Sequence, residues 1–217
     1  MALERHHPQY RILSADEIEA WRKIPPAVAS DCMNRTQVMN SAIKPIAPGT
    51  PIRGQARTVT TMVGDCWPIC IMIAEAKPGE IVVVDAAGVR EIAVWGGVMA
   101  EEAAYRKLGG AVVDGAVRDL ADMREAGLAM YCSAATPKGP HQGFGGVLDG
   151  LASVGGVPVR SGDIVLGNDD GVVVVPLQRA DEILAAAQAH LVKEEGWVGD
   201  IRSGASIPEL FAMETGK

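Results

Sequence analysis

An arginine and an aspartate stand side by side at Arg118-Asp119, just past an apolar run in "GGAVVDGAVRDLADMREAG", residues 109–127. Arginine grips a carboxylate through two parallel N–H groups and keeps its charge at physiological pH. Aspartate is a hard oxygen donor that suits Mg²⁺. Adjacent at a turn, one can hold an acid substrate while the other holds a metal bridging the same substrate. The ordinary alternative is a surface ion pair, with Asp119 capping the helix that "LADMREAG" predicts, because Asp is favoured at that position.

A second candidate is Gly96-Gly97, at a loop-to-helix junction. Glycine lets the chain bend and lets a ligand approach the backbone. The first N–H groups of the following helix, at Gly97, Val98 and Met99, have no partner inside it and lie at its positive end, where a carboxylate fits. A tight turn without a ligand is the alternative. Other chemistries find less support. His6, His7, His141 and His190 are scattered, so no three-histidine zinc site is expected. There is no G-x-S-x-G elbow and no P-loop. A Schiff-base lysine needs a desolvated setting, but Lys77, Lys107 and Lys138 fall in turn-like or charged surroundings. Cys32, Cys66, Cys70 and Cys132 form no C-x-x-C pair. Cys66 and Cys70, one helical turn apart, are expected to be two small buried residues on one helix face.

Composition sets the frame for these residues. The 217 residues are 48% hydrophobic and 22% charged, enough for one folded domain with a sizeable core. That domain, 1–217, is expected to carry an N-terminal helical arm (about 1–35) and a C-terminal helix (about 178–196) plus tail. The net charge of −7 and the 4% of aromatics argue against a nucleic-acid partner. A local cationic pocket for a small anion remains compatible with that charge. "MALERHHPQY" has no apolar signal region, and no run approaches the roughly 18 apolar residues of a membrane span. A cytoplasmic protein with reduced thiols, free of the membrane, is expected.

The elements that must position the candidates follow from periodicity. Ser14-Ala15-Asp16-Glu17 is a capping box opening a helix to about residue 24, where Pro25-Pro26 stops it. A short helix is expected over 28–33. The β-branched alternation of 54–62 predicts a strand, and Asp65 can cap a helix over about 66–76. "IVVVDAAG" reads as a strand buried on both faces. A helix should start near Gly97 and end at Gly109-Gly110 as its C-cap. "AVVDG" and "GLAMYCSA" predict further strands around a short helix, 119–126. The stretch "TPKGPHQGFGG" shows little pattern. Asn168-Asp169-Asp170-Gly171 predicts a hairpin turn, and an amphipathic helix closes the chain over about 179–195. Helices alternating with strands predict a mixed α/β domain with helices flanking the sheet.

The pieces "KPGEIVVVDAAG", Gly96-Gly97-Val98-Met99 and "AAYRKLGGAVVDGAVRD" occur in a telling order. Over about residues 30–176 the chain resembles the family that holds 4-hydroxy-4-methyl-2-oxoglutarate aldolase, also acting on 4-carboxy-4-hydroxy-2-oxoadipate, and the regulator of ribonuclease activity A. The resemblance implies an RraA-like mixed β/β/α, swivelling-domain-like core. It implies a homotrimer or a dimer of trimers (a hexamer), with sites between subunits and terminal helices on neighbours. It implies Mg²⁺ or Mn²⁺ as cofactor and a small 2-oxo acid as substrate. By the same resemblance Arg118 is the ligand of the pyruvate moiety, Asp119 the metal ligand, and the backbone of Gly96, Gly97, Val98 and Met99 the keto-acid cradle.

The aldolase branch is marked by an Asp, twenty residues, then Arg-Asp. Here Gly97 stands where the first Asp would be. Glu101, one helical turn on, is a candidate replacement. A Glu on a neighbour's C-terminal helix approaches the metal waters in the family, and Glu194 or Glu195 is the candidate here. The implied activity is a divalent-metal-dependent class II aldolase or lyase. It would cleave a 4-hydroxy-2-oxo dicarboxylic acid to pyruvate plus a second carbonyl acid, with oxaloacetate decarboxylase activity. The alternative is a non-catalytic regulator binding a ribonuclease or other protein. The regulator branch lacks the Asp after the Arg, so Asp119 favours the enzyme.

Overall fold

Continuous runs of β-branched residues build the centre of the molecule. A computed structural model of the chain describes residues 2–213; the start and the last four residues of the 1–217 span lie outside the described residues. The strand β3 (Ile52–Thr61) pairs in parallel with β4 (Ile81–Asp85), which pairs in parallel with β6 (Gly110–Val117), which pairs in parallel with β7 (Met130–Ala135). Val82, Val83 and Val84 of β4 and Val112 and Val113 of β6 are fully buried, as a strand covered on both faces requires.

Helices α3 (Trp67–Glu75), α4 (Gly97–Tyr105) and α5 (Leu120–Glu125) connect these strands. They pack on one face, where Ile69, Met72, Ala100, Ala103 and Met123 meet Val59, Val84 and Val113. The other face meets a hairpin of β9 (Ala152–Val154) and β10 (Val157–Val159), and the hairpin of β11 (Ile164–Asn168) and β12 (Gly171–Val175). A third apolar cluster lies beyond: α1 (Ala15–Arg22), α2 (Pro26–Cys32) and α6 (Ala180–Arg202) cover Ile164, Leu166, Val173 and Val175.

The long strand β3 has two partners along one edge. Its first half pairs antiparallel with β11, and its last residues pair antiparallel with β8 (Gly145–Leu148). In turn β8 pairs with β1 (Ala2–Arg5), while β2 (Lys44–Pro45) closes the far edge on β7 and β5 (Ala93–Trp95) pairs with β6. Ten strands among the described residues form this sheet. The layers are therefore helices, sheet, hairpins, helices: the mixed β/β/α arrangement with flanking terminal helices.

Several local expectations hold. The Ser14 capping box is formed in both directions, Pro26 opens α2, and the hairpin turns at Asn168–Gly171. Others differ for identifiable reasons. The helix after Gly96 ends at Tyr105, and the left-handed residue beyond it is Lys107, with φ 59°, not a glycine. Gly109 and Gly110 serve close approach instead: a Cβ on either would lie within 2.5 Å of a backbone oxygen, Gly79 O or Ala129 O. The C-terminal helix runs on through Gly196 and Gly199 to Arg202. The first residues, Ala2–Arg5, are a strand paired with β8, and helix begins only at Ala15.

Candidate functional site

The site forms where β5 and β6 end together. Ala93 pairs with Ala116 and Trp95 with Val117, so the chain leaving β5 meets the chain leaving β6. The backbone N–H of Arg118 donates to Trp95 O at 2.9 Å and fixes the junction. Residues 96–99 then open α4 directly beside Arg118 and Asp119. This is the carboxyl end of parallel strands, where open α/β sheets place their ligands.

Asp119 occupies the N-cap position of α5 but does not cap it. Its backbone is left-handed, φ 61° and ψ 45°, and its side chain makes no cap hydrogen bond. Asp tolerates this conformation better than most residues. The twist aims the carboxylate away from its own helix and across to the next: Oδ2 accepts the Gly97 N–H at 3.1 Å. The same oxygen lies 3.5 Å from Arg118 Nε, and both side chains are 41% exposed. Asp119 Oδ1 takes no hydrogen bond from any described residue. The alternative of a helix-capping Asp therefore fails, and the side chain is turned toward the cavity.

The glycines have steric reasons. A Cβ on Gly96 would sit 2.8 Å from Asp119 Oδ2 and 3.2 Å from Arg118 Nε, so any other residue must displace the pair from this arrangement. Gly97 differs. A Cβ there would meet Asp122 Cβ at 3.1 Å and Asp122 Oδ2 at 3.2 Å. The space beside residue 97 is thus already taken by a carboxylate side chain from α5, a neighbour that sequence spacing does not reveal.

A third wall comes from residues 136–144, the stretch without pattern. It is strapped down by backbone bonds: Thr136 N–H to Val117 O, Ala93 N–H to Lys138 O and His141 N–H to Gly64 O. Asp65, fully buried, holds its far end by accepting N–H groups from Gly143, Phe144 and Gly145 as well as from Trp67 at the start of α3. Burial alone would raise the Asp65 pKa, but these four donors outweigh it and hold it below the usual value. The strap brings Gly139 so close to Arg118 that a Cβ would touch Nη1 at 2.5 Å.

Together these walls enclose a cavity of about 330 Å³ lined by Gly96, Gly97, Val98, Met99, Arg118 and Asp119, with Trp95 and Gln142. Cys66 and Cys70 also line it, although their spacing predicted only a packing role. Cys66 is buried at the N-cap of α3 and Cys70 is half-buried one turn on. The hydrogen bond from the Cys70 thiol lowers the Cys66 pKa to about 7 and pushes Cys70 upward. Trp95, 1% exposed, keeps its indole N–H without a partner among the described residues.

The other candidates lie elsewhere. Glu101 is exposed on α4 and does not line the cavity. Glu194 and Glu195 sit on α6, which packs on α2 and the β11–β12 hairpin, and Glu194 faces His190 at 3.3 Å. Within one chain none of the three reaches Arg118. Among the described residues no cluster of three His, Cys, Asp or Glu could hold a metal. One exposed carboxylate with a free oxygen, in an open cavity, still fits a hard cation that keeps its waters and takes remaining ligands from substrate, as Mg²⁺ and Mn²⁺ do. It does not fit a closed zinc site.

An arginine, an aspartate and a glycine-opened helix line one cavity at the carboxyl end of a parallel sheet in a mixed α/β protein. The sequence profile of the RraA-like family, described as Aldolase/RraA, matches residues 26–174, and the chain belongs to that family. A Halalkalibacterium halodurans protein provisionally named a 4-hydroxy-4-methyl-2-oxoglutarate aldolase is 32% identical over 180 residues, covering 83% of this chain and 86% of its own. The solved structure of Streptomyces coelicolor RraAS2, described as an unusual member of the RNase ES inhibitor RraA family, aligns with a TM-score of 0.77 at 28% identity, over 88% of this chain and all of that one. A Pseudomonas syringae structure aligns with a TM-score of 0.83 over 95% of this chain and 98% of its own; at 21% identity it shows the fold alone. No described helix is long and apolar enough to cross a membrane.

Proposed function

We propose that this chain is a divalent-metal-dependent class II lyase. It cleaves a 4-hydroxy-2-oxo dicarboxylic acid to pyruvate and a second carbonyl acid, and it decarboxylates oxaloacetate. The observation that carries this is the left-handed turn at Asp119, which leaves its own helix uncapped and puts the carboxylate beside Arg118 and the first N–H groups of α4. The kinship with proteins named as aldolases supports it.

The chain's own groups account for binding and charge. The N–H groups of Val98 and Met99, that of Gly97 once it leaves Asp119 Oδ2, and the Arg118 guanidinium receive the substrate's carboxylate and 2-oxo oxygen. As the C3–C4 bond breaks, its electron pair moves into the C2–C3 bond and negative charge grows on the 2-oxo oxygen. Arg118 opposes that charge where it develops, which is where stabilisation accelerates a reaction. Mg²⁺ or Mn²⁺ on Asp119 would supply Lewis-acid polarisation of the same oxygen. Retro-aldol cleavage needs, in addition, removal of the C4 hydroxyl proton, whereas decarboxylation of oxaloacetate does not. With glycine at 97, decarboxylation is the better-equipped reaction of this cavity. A neighbouring subunit of a trimer or hexamer supplies the remaining wall, with Glu194 or Glu195 as the groups it would bring.

Pyruvate release from oxaloacetate and from 4-hydroxy-4-methyl-2-oxoglutarate, with and without Mg²⁺ or Mn²⁺, tests this. The expected result is metal-dependent release, faster from oxaloacetate; no pyruvate from either substrate rejects it. The second reading, a non-catalytic regulator of a ribonuclease, is favoured by the description of the Streptomyces relative. It predicts no Mg²⁺ or Mn²⁺ binding by calorimetry and no change on Asp119→Ala.

A further inference from the structure

The opposite end of the sheet holds a larger cavity of about 630 Å³, between the N-terminal arm and the amino ends of β3, β4 and β6. Its walls are of two kinds. Ile12, Leu13 and Pro78 are apolar; Arg22, Arg53 and Lys77 are cationic. This volume and this mixture are typical of small-molecule sites.

The charges do not balance. Arg53 is half-buried on β3, and its Nε is sealed from solvent without an acceptor among the described residues. Burial lowers its pKa; Tyr131 opposes that, and the nearby Arg22 adds a smaller lowering. The one acidic residue lining the cavity, Glu80, is already engaged: Oε2 accepts the Lys77 N–H at 2.7 Å and faces Arg57 Nη1 at 3.3 Å. Arg22 has only an exposed partner, Glu19, at 3.4 Å. A desolvated guanidinium N–H with no acceptor is costly, and a second cation beside it adds to the cost. An anion entering the cavity beside Arg53 and Arg22 would offset the like-charge cost.

We propose that this cavity is a second ligand site, separate from the one at Arg118, for a small organic anion. A carboxylate or phosphate head would lie on Arg53, within the field of Arg22, and an apolar body would lie against Ile12, Leu13 and Pro78. The site does not depend on the lyase assignment, because no residue of the Arg118 cavity lines it.

Calorimetric titration of the full-length chain tests the site, with hexanoate and hexyl phosphate as probes and hexanol and inorganic phosphate as controls. At least one organic anion should saturate one site per chain. Hexanol should not bind, and inorganic phosphate should bind at least tenfold more weakly. The better of the two organic probes identifies the head group. Arg53→Met should weaken that probe at least tenfold. Arg22→Ala, an exposed change on α1, should weaken it about threefold, and it decides the matter alone if Arg53→Met fails to fold. Arg118→Ala should leave binding unchanged. The proposal is overturned if neither organic anion saturates, if Arg22→Ala and any folded Arg53→Met bind like the parent, or if Arg118→Ala abolishes binding. A crystal structure with a second copy's carboxylate seated on Arg53 would overturn it equally.

Discussion

At the carboxyl ends of β5 and β6, Arg118 stands 3.5 Å from its own neighbour Asp119, and both are 41% exposed. At the amino end of the sheet, Arg57 is gripped by Asp149 through two bonds of 2.7 Å and faces Glu80 at 3.3 Å, with 13% of its side chain exposed. Four residues earlier on the same strand, Arg53 has a sealed Nε with no acceptor among the described residues. The residue type is the same in all three places. What differs is whether the facing carboxylate is committed, loosely shared or missing. A committed pair is architecture, a loosely shared pair can yield to a substrate carboxylate, and a missing partner leaves a vacancy for a ligand.

The largest effect is expected at the committed pair. Arg57→Met leaves the Asp149 carboxylate, which also accepts from Ser161 Oγ at 2.7 Å, without its hydrogen-bonded cation. Stranding one half of a buried pair costs about 3–5 kcal/mol, so urea unfolding should show a loss of that size. A loss below about 1 kcal/mol would mean that the amino end is not held by this network and would erase the contrast. Next comes Arg118→Ala. Removing a donor from developing negative charge typically costs about 10²–10³-fold, so kcat/KM for pyruvate release from oxaloacetate should fall by that much. Urea stability should change little, because the side chain is exposed and loosely paired. Activity within about threefold of the parent breaks the comparison from the other side.

The two glycines sharpen it further. Gly96→Ala puts a methyl group 2.8 Å from Asp119 Oδ2 and must push the carboxylate off the Gly97 N–H; at least about a tenfold loss of activity is expected, the scale of a lost hydrogen bond to a charged group. Gly97→Ala meets Asp122 Cβ at 3.1 Å and Oδ2 at 3.2 Å, so α5 need give by only a few tenths of an ångström, and the variant should lose less. Equal losses would show that Asp119 is not poised on residue 97. A milder test concerns pH. Because the hydrogen bond from Cys70 favours the Cys66 thiolate, one of the four thiols should titrate near pH 7 by ultraviolet thiolate absorbance, and Cys70→Ala, which removes the donor, should move that step upward, with Cys66→Ala removing it. An unshifted set of four thiols would remove the pair from the account of the cavity.

How much of this was legible beforehand differs between the same two ends. The family-matching signals, Arg118-Asp119 and Gly96-Gly97, lie in one local stretch, and the sequence alone marks them as candidates for an anion and metal site. The geometry that makes them a site was not legible. It depends on β5, only three residues long, pairing with the last residues of β6, and on a left-handed Asp that looked like an ordinary cap. Residues 136–144 looked patternless because their order comes from distant groups, chiefly the Asp65 carboxylate, rather than from periodicity. Asp122 beside Gly97 and the thiols of Cys66 and Cys70 are likewise products of tertiary packing. The helix end at Lys107 escaped for the opposite reason: Gly109-Gly110 is a strong capping signal, but those glycines were needed where strands approach each other's backbones. The core, read from runs such as "IVVVDAAG", was predictable because burial on both faces leaves a mark on every residue of the strand.

The smallest expected effect has the most telling sign. Arg53→Met replaces a half-buried arginine, whose Nε is sealed without an acceptor among the described residues, with an apolar chain of similar reach. Relief of its desolvation should leave urea stability unchanged or raise it by up to about 1 kcal/mol, because a buried polar group without a partner costs about that much or more. The opposite sign from Arg57→Met, on the same strand and from the same starting residue, would come solely from the presence or absence of a facing carboxylate. A loss of more than about 1 kcal/mol would mean that Arg53 is already satisfied in the folded protein, and the vacancy would close. A variant that is at least as stable and has also lost hexanoate would show an arginine held in place against the interest of the fold, as a ligand-binding residue is.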